Sequence, residues 1–254
     1  MHRPRFPSAL EIPFFLLLWV FILSGCTSTQ TKKTIPPDEL IQLGIEQTKK
    51  KNYTEAKASF QQVLEDYPDS KERVMALLML ADSHYRDEEY EESKFHYKKF
   101  IELYPAHQYA DRAFYFKAMS DFRMMEIASR DQTHTQAALE GFQSLIDKFP
   151  DSPYHAKAVR RKKECAETLA TNIFEIGKFY YRTGAYQAAI FRLRNMMETY
   201  PDLKFVDEAI FLIAESYYKE ENFAKAKDTY LELLDKFPQS HFSIEARSRL
   251  KTIH

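Results

Sequence analysis

The chain has 254 residues, a net charge of −1 at pH 7, five glycines and two cysteines. A near-neutral balance argues against nucleic acid, whose partners carry a clustered basic surface. Two cysteines build no disulfide framework, and five glycines leave little for a phosphate-cradling loop. Scarce glycine beside abundant Ala, Glu, Lys, Leu and Tyr points to helices.

Residues 1–25 read as a signal peptide, to be set apart from the fold. His2, Arg3 and Arg5 form a short basic start. Ile12 to Leu23 is an apolar run of 12 residues, too short for a spanning helix, which needs roughly 20. Glu11 beside the run is unusual for such a segment. The run ends in Leu23-Ser24-Gly25-Cys26, which resembles the lipobox of bacterial lipoproteins. That resemblance implies acylation of Cys26 and a lipid anchor. Anchoring grows by about 0.8 kcal/mol per buried CH₂, and one chain alone is marginal, so three chains would hold durably. The other reading is an ordinary cleaved signal peptide with a chance cysteine. Thr27 stands where an Asp would favour inner-membrane retention, which leans towards the outer membrane. Residues 26–37, polar and ending in Pro36-Pro37, read as lipidated cysteine plus flexible tether.

From 38 onward the chain repeats itself. Aromatic-proline pairs recur at Tyr67-Pro68, Tyr104-Pro105, Phe149-Pro150, Tyr200-Pro201 and Phe237-Pro238. Twelve residues before each proline stands a small residue: Ala56, Ser93, Ala138, Ala189, Ala226. Eight before stands a large one: Phe60, Tyr97, Phe142, Leu193, Tyr230. Twenty-four before stand Gly44, Ala81, Glu126, Gly177 and Ala214, small in four of the five. The spacing resembles the tetratricopeptide repeat. Two antiparallel helices approach closely where small residues face each other, and the large residue is expected to fill the gap to the next repeat. The proline ends the second helix. The expected fold is all-α, an α-solenoid of five tetratricopeptide-like helix pairs. The expected divisions are 38–133, with repeats 1, 2 and the start of 3, and 134–254, with the end of repeat 3, a long helix and repeats 4 and 5.

The departures are informative. Consecutive prolines lie 37, 45, 51 and 37 residues apart, against about 34 in the standard repeat. Three extra residues before Ala81 and Ala214 predict first helices one turn longer there. An insertion within 119–133 gives Glu126's role to Ala118. The stretch 153–183 lacks a breaker before Gly177 and predicts one long helix with Pro153 in its first turn. Asp69-Ser70, Asp151-Ser152 and Gln239-Ser240 are expected to cap the helices that follow.

No catalytic constellation is written into the chain. His84, His96, His107 and His134 show no paired ligand spacing, so no metal or cofactor is expected. Cys165 reads as a buried thiol on the long helix. Arg160-Arg161-Lys162-Lys163 reads as a solvated face, or as contact with acidic protein or lipid headgroups. The expected protein binds other proteins and is no enzyme.

The most specific segment runs through Phe149-Pro150-Asp151-Ser152, the long helix, Phe179-Tyr180-Tyr181, Gly184-Ala185-Tyr186, Ala189, Arg192 and Tyr200-Pro201-Asp202. It resembles the BamD family, also called ComL or YfiO, lipoprotein subunits of the β-barrel assembly machine of the outer membrane. The resemblance covers about 38–252, although 119–133 looks shorter than the loop some members carry. It implies that the carboxy-terminal repeats bind the POTRA domain of a BamA-like barrel subunit. Arg192, Tyr186 and Tyr180 are the candidate partner-binding residues. It also implies that the amino-terminal repeats take up unfolded outer membrane proteins, with Tyr85, Tyr109 and Tyr115 as candidate substrate-binding aromatics. Accessory lipoproteins are further possible partners. Arg192 also has a plainer reading, a solvated arginine paired with Glu198. The tyrosines have one as repeat packing. The alternative function is another periplasmic tetratricopeptide lipoprotein serving cell-wall or secretion machinery.

Overall fold

In a computed structural model, residues 34–201 and 205–253 are described. Cys26 and the predicted signal peptide lie outside them. The unit Pro36–His254 is built from helices α1 (Pro37–Lys49), α2 (Tyr53–Asp66), α3 (Glu72–Arg86), α4 (Tyr90–Leu103), α5 (Ala110–Arg123), α6 (Thr133–Lys148), α7 (His155–Arg182), α8 (Tyr186–Thr199), α9 (Val206–Lys219), α10 (Phe223–Lys236) and α11 (His241–Leu250). The described residues contain no strand. The helices form five pairs closed by α11, an all-α tetratricopeptide-like stack.

Each pair is written locally. Between first and second helix of every pair but the third stands one left-handed residue: Lys51 (φ 62°), Glu88 (62°), Gly184 (80°) or Glu221 (60°). The next residue's N–H then reaches back to a carbonyl of the helix just ended, Asn52 to Gln47, Glu89 to His84, Ala185 to Tyr180 and Asn222 to Tyr217. This is the Schellman closure, in which glycine is the usual left-handed residue. Only Gly184 uses one.

The second helices end for a different reason. Tyr67, Tyr104, Phe149, Tyr200 and Phe237 all have φ between −131° and −134° with ψ of 55° to 70°. The proline that follows clashes with a helical residue before it and pushes that residue out of the α region. Beyond the proline the chain makes two successive tight turns. Ser70 N–H bonds to Tyr67 O and Arg73 N–H to Ser70 O, and the same two bonds recur from Tyr104, Phe149 and Phe237.

These turns absorb the added residues. The first helices α3 and α9 have 15 and 14 residues, no longer than their counterparts by a turn, so that expectation is corrected. The insertion in the third pair is as expected: 124–132 is the connection between α5 and α6, Glu126 lies in it, and Ala118 is fully buried. The long helix is α7, with 28 residues, about 42 Å at 1.5 Å per residue. Pro153 lies in the turn just before it. Ser240 caps α11 by accepting from Phe242 N–H. Ser152 accepts from Tyr154 N–H and donates to Asp111 (2.6 Å). Ser70 caps nothing, and its buried hydroxyl has no partner.

The repeat phases match the burial. The small and large residues found twelve and eight before each proline are buried, Ala56, Phe60, Tyr97, Phe142, Leu193 and Tyr230 completely. A methyl group on Gly44 would lie 2.5 Å from the Phe60 ring, and one on Gly177 2.7 Å from Leu193. The large residue therefore first covers the first helix of its own pair. Tyr97 also reaches the next repeat, stacking on Phe116 at 5.9 Å. Successive first helices touch (α1–α3, α3–α5, α7–α9, α9–α11), and no pair of second helices does so to that extent. First helices thus line the inner side of the stack, as in other solenoids.

Candidate partner-binding surfaces

Burial of a charge requires an answering group, and the stack supplies one twice in the same way. In the second pair, the Tyr97 hydroxyl donates to Asp82, and Arg112 Nη2 from the next first helix donates to the same carboxylate at 2.6 Å. In the fifth pair, Tyr230 donates to Glu215, and Arg249 grips it with Nε at 2.7 Å and Nη2 at 2.9 Å. Burial drives both phenols well above the ordinary tyrosine range, and the adjacent carboxylates add to it. Between them, Asp121 is fully buried beneath Lys94 (2.8 Å) and His134 (3.2 Å). These groups join consecutive repeats and leave other charges free to face outward.

On the carboxy-terminal side, the last turn of α7 and the exposed face of α8 carry the predicted residues. Phe179 is 54 % exposed and Phe191 66 %, large apolar surfaces of a kind that marks contact sites when grouped. Tyr180 is half-buried with its ring against Phe179 (5.9 Å). Tyr186 packs on Tyr181 (5.9 Å), so the structure does not join it to Tyr180. Arg192 is exposed beside Phe191, and among the described residues it makes no ion pair, with Glu198 or any other acid. Arg194, two residues further on, is likewise exposed. Phe191 was not singled out from the sequence. Its signal was an aromatic at a position ten before the proline, shared only by Phe95.

On the amino-terminal side, the three candidate tyrosines separate. Tyr109 is 38 % exposed at the start of α5, its ring beside His107 (5.5 Å). Tyr85 is half-buried and meets Tyr90 and Phe116 edge-on, and burial raises its phenol above the ordinary value. Tyr115 is a correction. It is buried, stacked on Tyr154 at 4.7 Å and set against Phe116 and Phe142. The turn into α7 brings Tyr154 over it, so its ring packs repeat three and offers no docking surface.

The basic run on α7 divides. Arg160 and Arg161 both pair with Glu164, at 3.8 and 2.6 Å, and Arg161 lies over the Phe122 ring. Lys162 and Lys163 border a 600 Å³ cavity with Leu139, Ala166, Tyr200 and Pro201. Cys165 is buried with its thiol against Met125 Sδ (3.7 Å), and burial pushes its pKa up to about 12. It is an inert packing group at neutral pH. No group of His, Cys, Asp and Glu among the described residues is arranged to hold a metal ion. Nor is any helix among them long and apolar enough to cross a membrane.

The fold defines a class: an all-α tetratricopeptide-like solenoid, here with exposed aromatic and arginine side chains on its carboxy-terminal repeats. The family model described as "Outer membrane lipoprotein" (YfiO) matches residues 33–231, and the chain belongs to that family. Among curated relatives, "Outer membrane protein assembly factor BamD" of Caulobacter vibrioides is 28 % identical over 77 % of this chain and 66 % of its own length. That of Pasteurella multocida is 26 % identical over 81 % of this chain and 83 % of its own. A crystal structure of a TPR repeats protein from Bacteroides fragilis aligns with 87 % of this chain and 100 % of its own, at 13 % identity and TM-score 0.47.

Proposed function

We propose that this chain is a scaffold subunit of the outer membrane β-barrel assembly machine, anchored at the periplasmic face by lipid on Cys26. Its carboxy-terminal repeats (within 134–254) bind the POTRA domain of a BamA-like barrel subunit through Phe191, Arg192, Tyr186 and Tyr180. Its amino-terminal repeats (within 38–133) take up unfolded barrel proteins on the inner face, with Tyr85 and Tyr109 at its edge. Accessory lipoproteins fit the same picture as further partners. No chemistry is assigned to the chain.

The observation that supports this most is family membership over residues 33–231, joined to an exposed Phe191-Arg192 pair that the stack itself leaves unused. Arginine and aromatic residues are the commonest interface anchors. Affinity capture of the full chain from detergent-solubilised envelopes, with mass spectrometry, tests it. A near-stoichiometric barrel protein bearing POTRA domains is expected. Recovery of cell-wall or secretion proteins instead would move the chain to another periplasmic assembly.

A further inference from the structure

The third pair departs from the repeat at one position. The residue before the small one of the first helix is Leu43, Leu80, Ile176 or Ile213 in the other four pairs, and Lys117, before Ala118, in the third. An aliphatic side chain needs no partner there, whereas a cation drawn out of water needs an answering charge. Lys117 is half-buried on α5. Among the described residues its side chain makes no ion pair and no hydrogen bond.

Two further cations stand around it. Lys98 of α4, Lys117 of α5 and Lys148 of α6 border one recess of 220 Å³, bounded by the second helices α4 and α6 and floored by α5. The one carboxylate that borders it among the described residues is Glu102. It lies 3.8 Å from Lys98 in an exposed pair on the same helix, an arrangement that holds charge in place only weakly. Three lysines against one glutamate leave two positive charges over. Lys148 stands 4.8 Å over the Phe114 ring, a contact that orders the ammonium and spends none of its hydrogen bonds on an acid. Gly141, which closes on Ala118, lines the recess with backbone alone. Ile101 and Phe114 supply an apolar wall. Lysine is a compact point charge without the planar fork that grips a carboxylate. Three lysines from three helices can face a tetrahedral anion from three sides.

We propose that this recess binds a phosphate group, held by Lys98, Lys117 and Lys148, with Phe114 positioning Lys148. Free phosphate and the headgroup of a lipid share that chemistry, and a lipid would add contact between its first methylenes and the wall of Ile101 and Phe114. The site needs no partner subunit, so it stands apart from the assembly reading.

The test is isothermal titration calorimetry of the full chain in a non-ionic detergent, at fixed ionic strength, with inorganic phosphate and with dihexanoyl phosphatidic acid. Dihexanoyl phosphatidylcholine and a hexaglutamate peptide are the comparisons. Saturable binding of a phosphate probe, tighter than either comparison, is expected, and the tighter of the two phosphate probes names the source. Lys117→Leu, which restores the residue type of the other pairs, should weaken binding at least about tenfold, the loss of a charge-assisted hydrogen bond. Its circular dichroism spectrum should be unchanged and its melting temperature no lower than that of the parent chain. If that variant does not fold, the exposed pair Lys98→Ala with Lys148→Ala carries the same expectation. Lys162→Leu, beside the cavity on α7, should bind as the parent does. No binding of either phosphate probe, unchanged binding by the recess variants, equal binding of phosphatidylcholine, or tighter binding of hexaglutamate would each overturn the proposal.

Discussion

Tyr97 donates its phenolic hydrogen to Asp82, and both groups are buried between α3 and α4. The carboxylate is held from the other side by Arg112 of the next pair, so one acid ties three helices. Removing the acid leaves the fully buried Tyr97 hydroxyl without its acceptor and the part-buried Arg112 without its counter-ion. Asp82→Ala is expected to cost about 2–4 kcal/mol. Tyr97→Phe removes one bond and leaves the ion pair, at about 1–2 kcal/mol. Equilibrium urea unfolding of the variants checks both. Equal losses would mean that the ion pair contributes nothing beyond the hydroxyl.

Helix α6 lies on α5 through Gly141. A methyl group there would stand 2.8 Å from Ala118 Cβ and 3.3 Å from its Cα. Alanine is the better helix former by about 1 kcal/mol. Yet the neighbour is backbone and a methyl group, neither of which can turn aside, and overpacking costs about 1–3 kcal/mol. Gly141→Ala should therefore be destabilising despite its propensity, and Gly141→Val more so. A stabilised alanine variant in thermal unfolding would show that α5 and α6 separate freely.

The repeat phase was legible because each of its signals has one physical cause. A proline must end the second helix, and small residues must stand where helices close, as Ala118, Gly44 and Gly177 do. Helix lengths were not legible. Residues added after Pro68 can extend a helix or a turn with the same composition, and the paired turns at Tyr67–Arg73 took them. Nothing in the sequence sets Asp82 and Glu215 apart from the other acids, since the tyrosine and arginine that bury them come from other helices. Tyr115 was misplaced for the same reason, its cover Tyr154 arriving from the turn into α7. Arg192 was visible as a residue, but its lack of an ion pair among the described residues was not.

His96 is half-buried, stacked on His84 at 5.0 Å, with its Nδ1 unpartnered. Burial, helped by His84 and Lys99 and opposed by Glu92, lowers its pKa from 6.5 to about 4. Unfolded His96 therefore takes up a proton at a pH where the folded ring does not. Its contribution is complete above about pH 6.5 and is lost as the pH falls towards 4. After allowance for solvent screening the loss is on the order of 1–2 kcal/mol. Melting temperatures from pH 7 to pH 4.5 should fall less steeply for His96→Gln than for the parent chain, and parallel slopes would remove His96 as the cause.

Cys26→Ala removes the only acylation site that the Leu23-Ser24-Gly25-Cys26 motif offers. Without acyl chains the protein should move to the soluble periplasmic fraction and lose incorporation of labelled palmitate. Retention of label by the variant would refute the anchor. Membrane association without label would point to hold by a partner.

Arg192 is exposed on α8 beside Phe191, which leaves 66 % of its surface in water. Neither supports the fold by a charge pair, and surface substitutions of this kind change stability by no more than about 0.5 kcal/mol. An interface anchor behaves differently, since its truncation costs about 2 kcal/mol or more of binding. Arg192→Glu reverses the charge and Phe191→Ser removes the apolar area while α8 keeps its packing through Ala189, Leu193 and Met196. Each should reduce capture of the barrel subunit at least about tenfold with an unchanged circular dichroism spectrum. Tyr186→Phe should have a smaller effect, because it keeps the ring and removes only the hydroxyl. Undiminished capture by both Arg192→Glu and Phe191→Ser would move the partner surface off α8, with the 600 Å³ cavity beside Lys162 and Lys163 the next place to mutate.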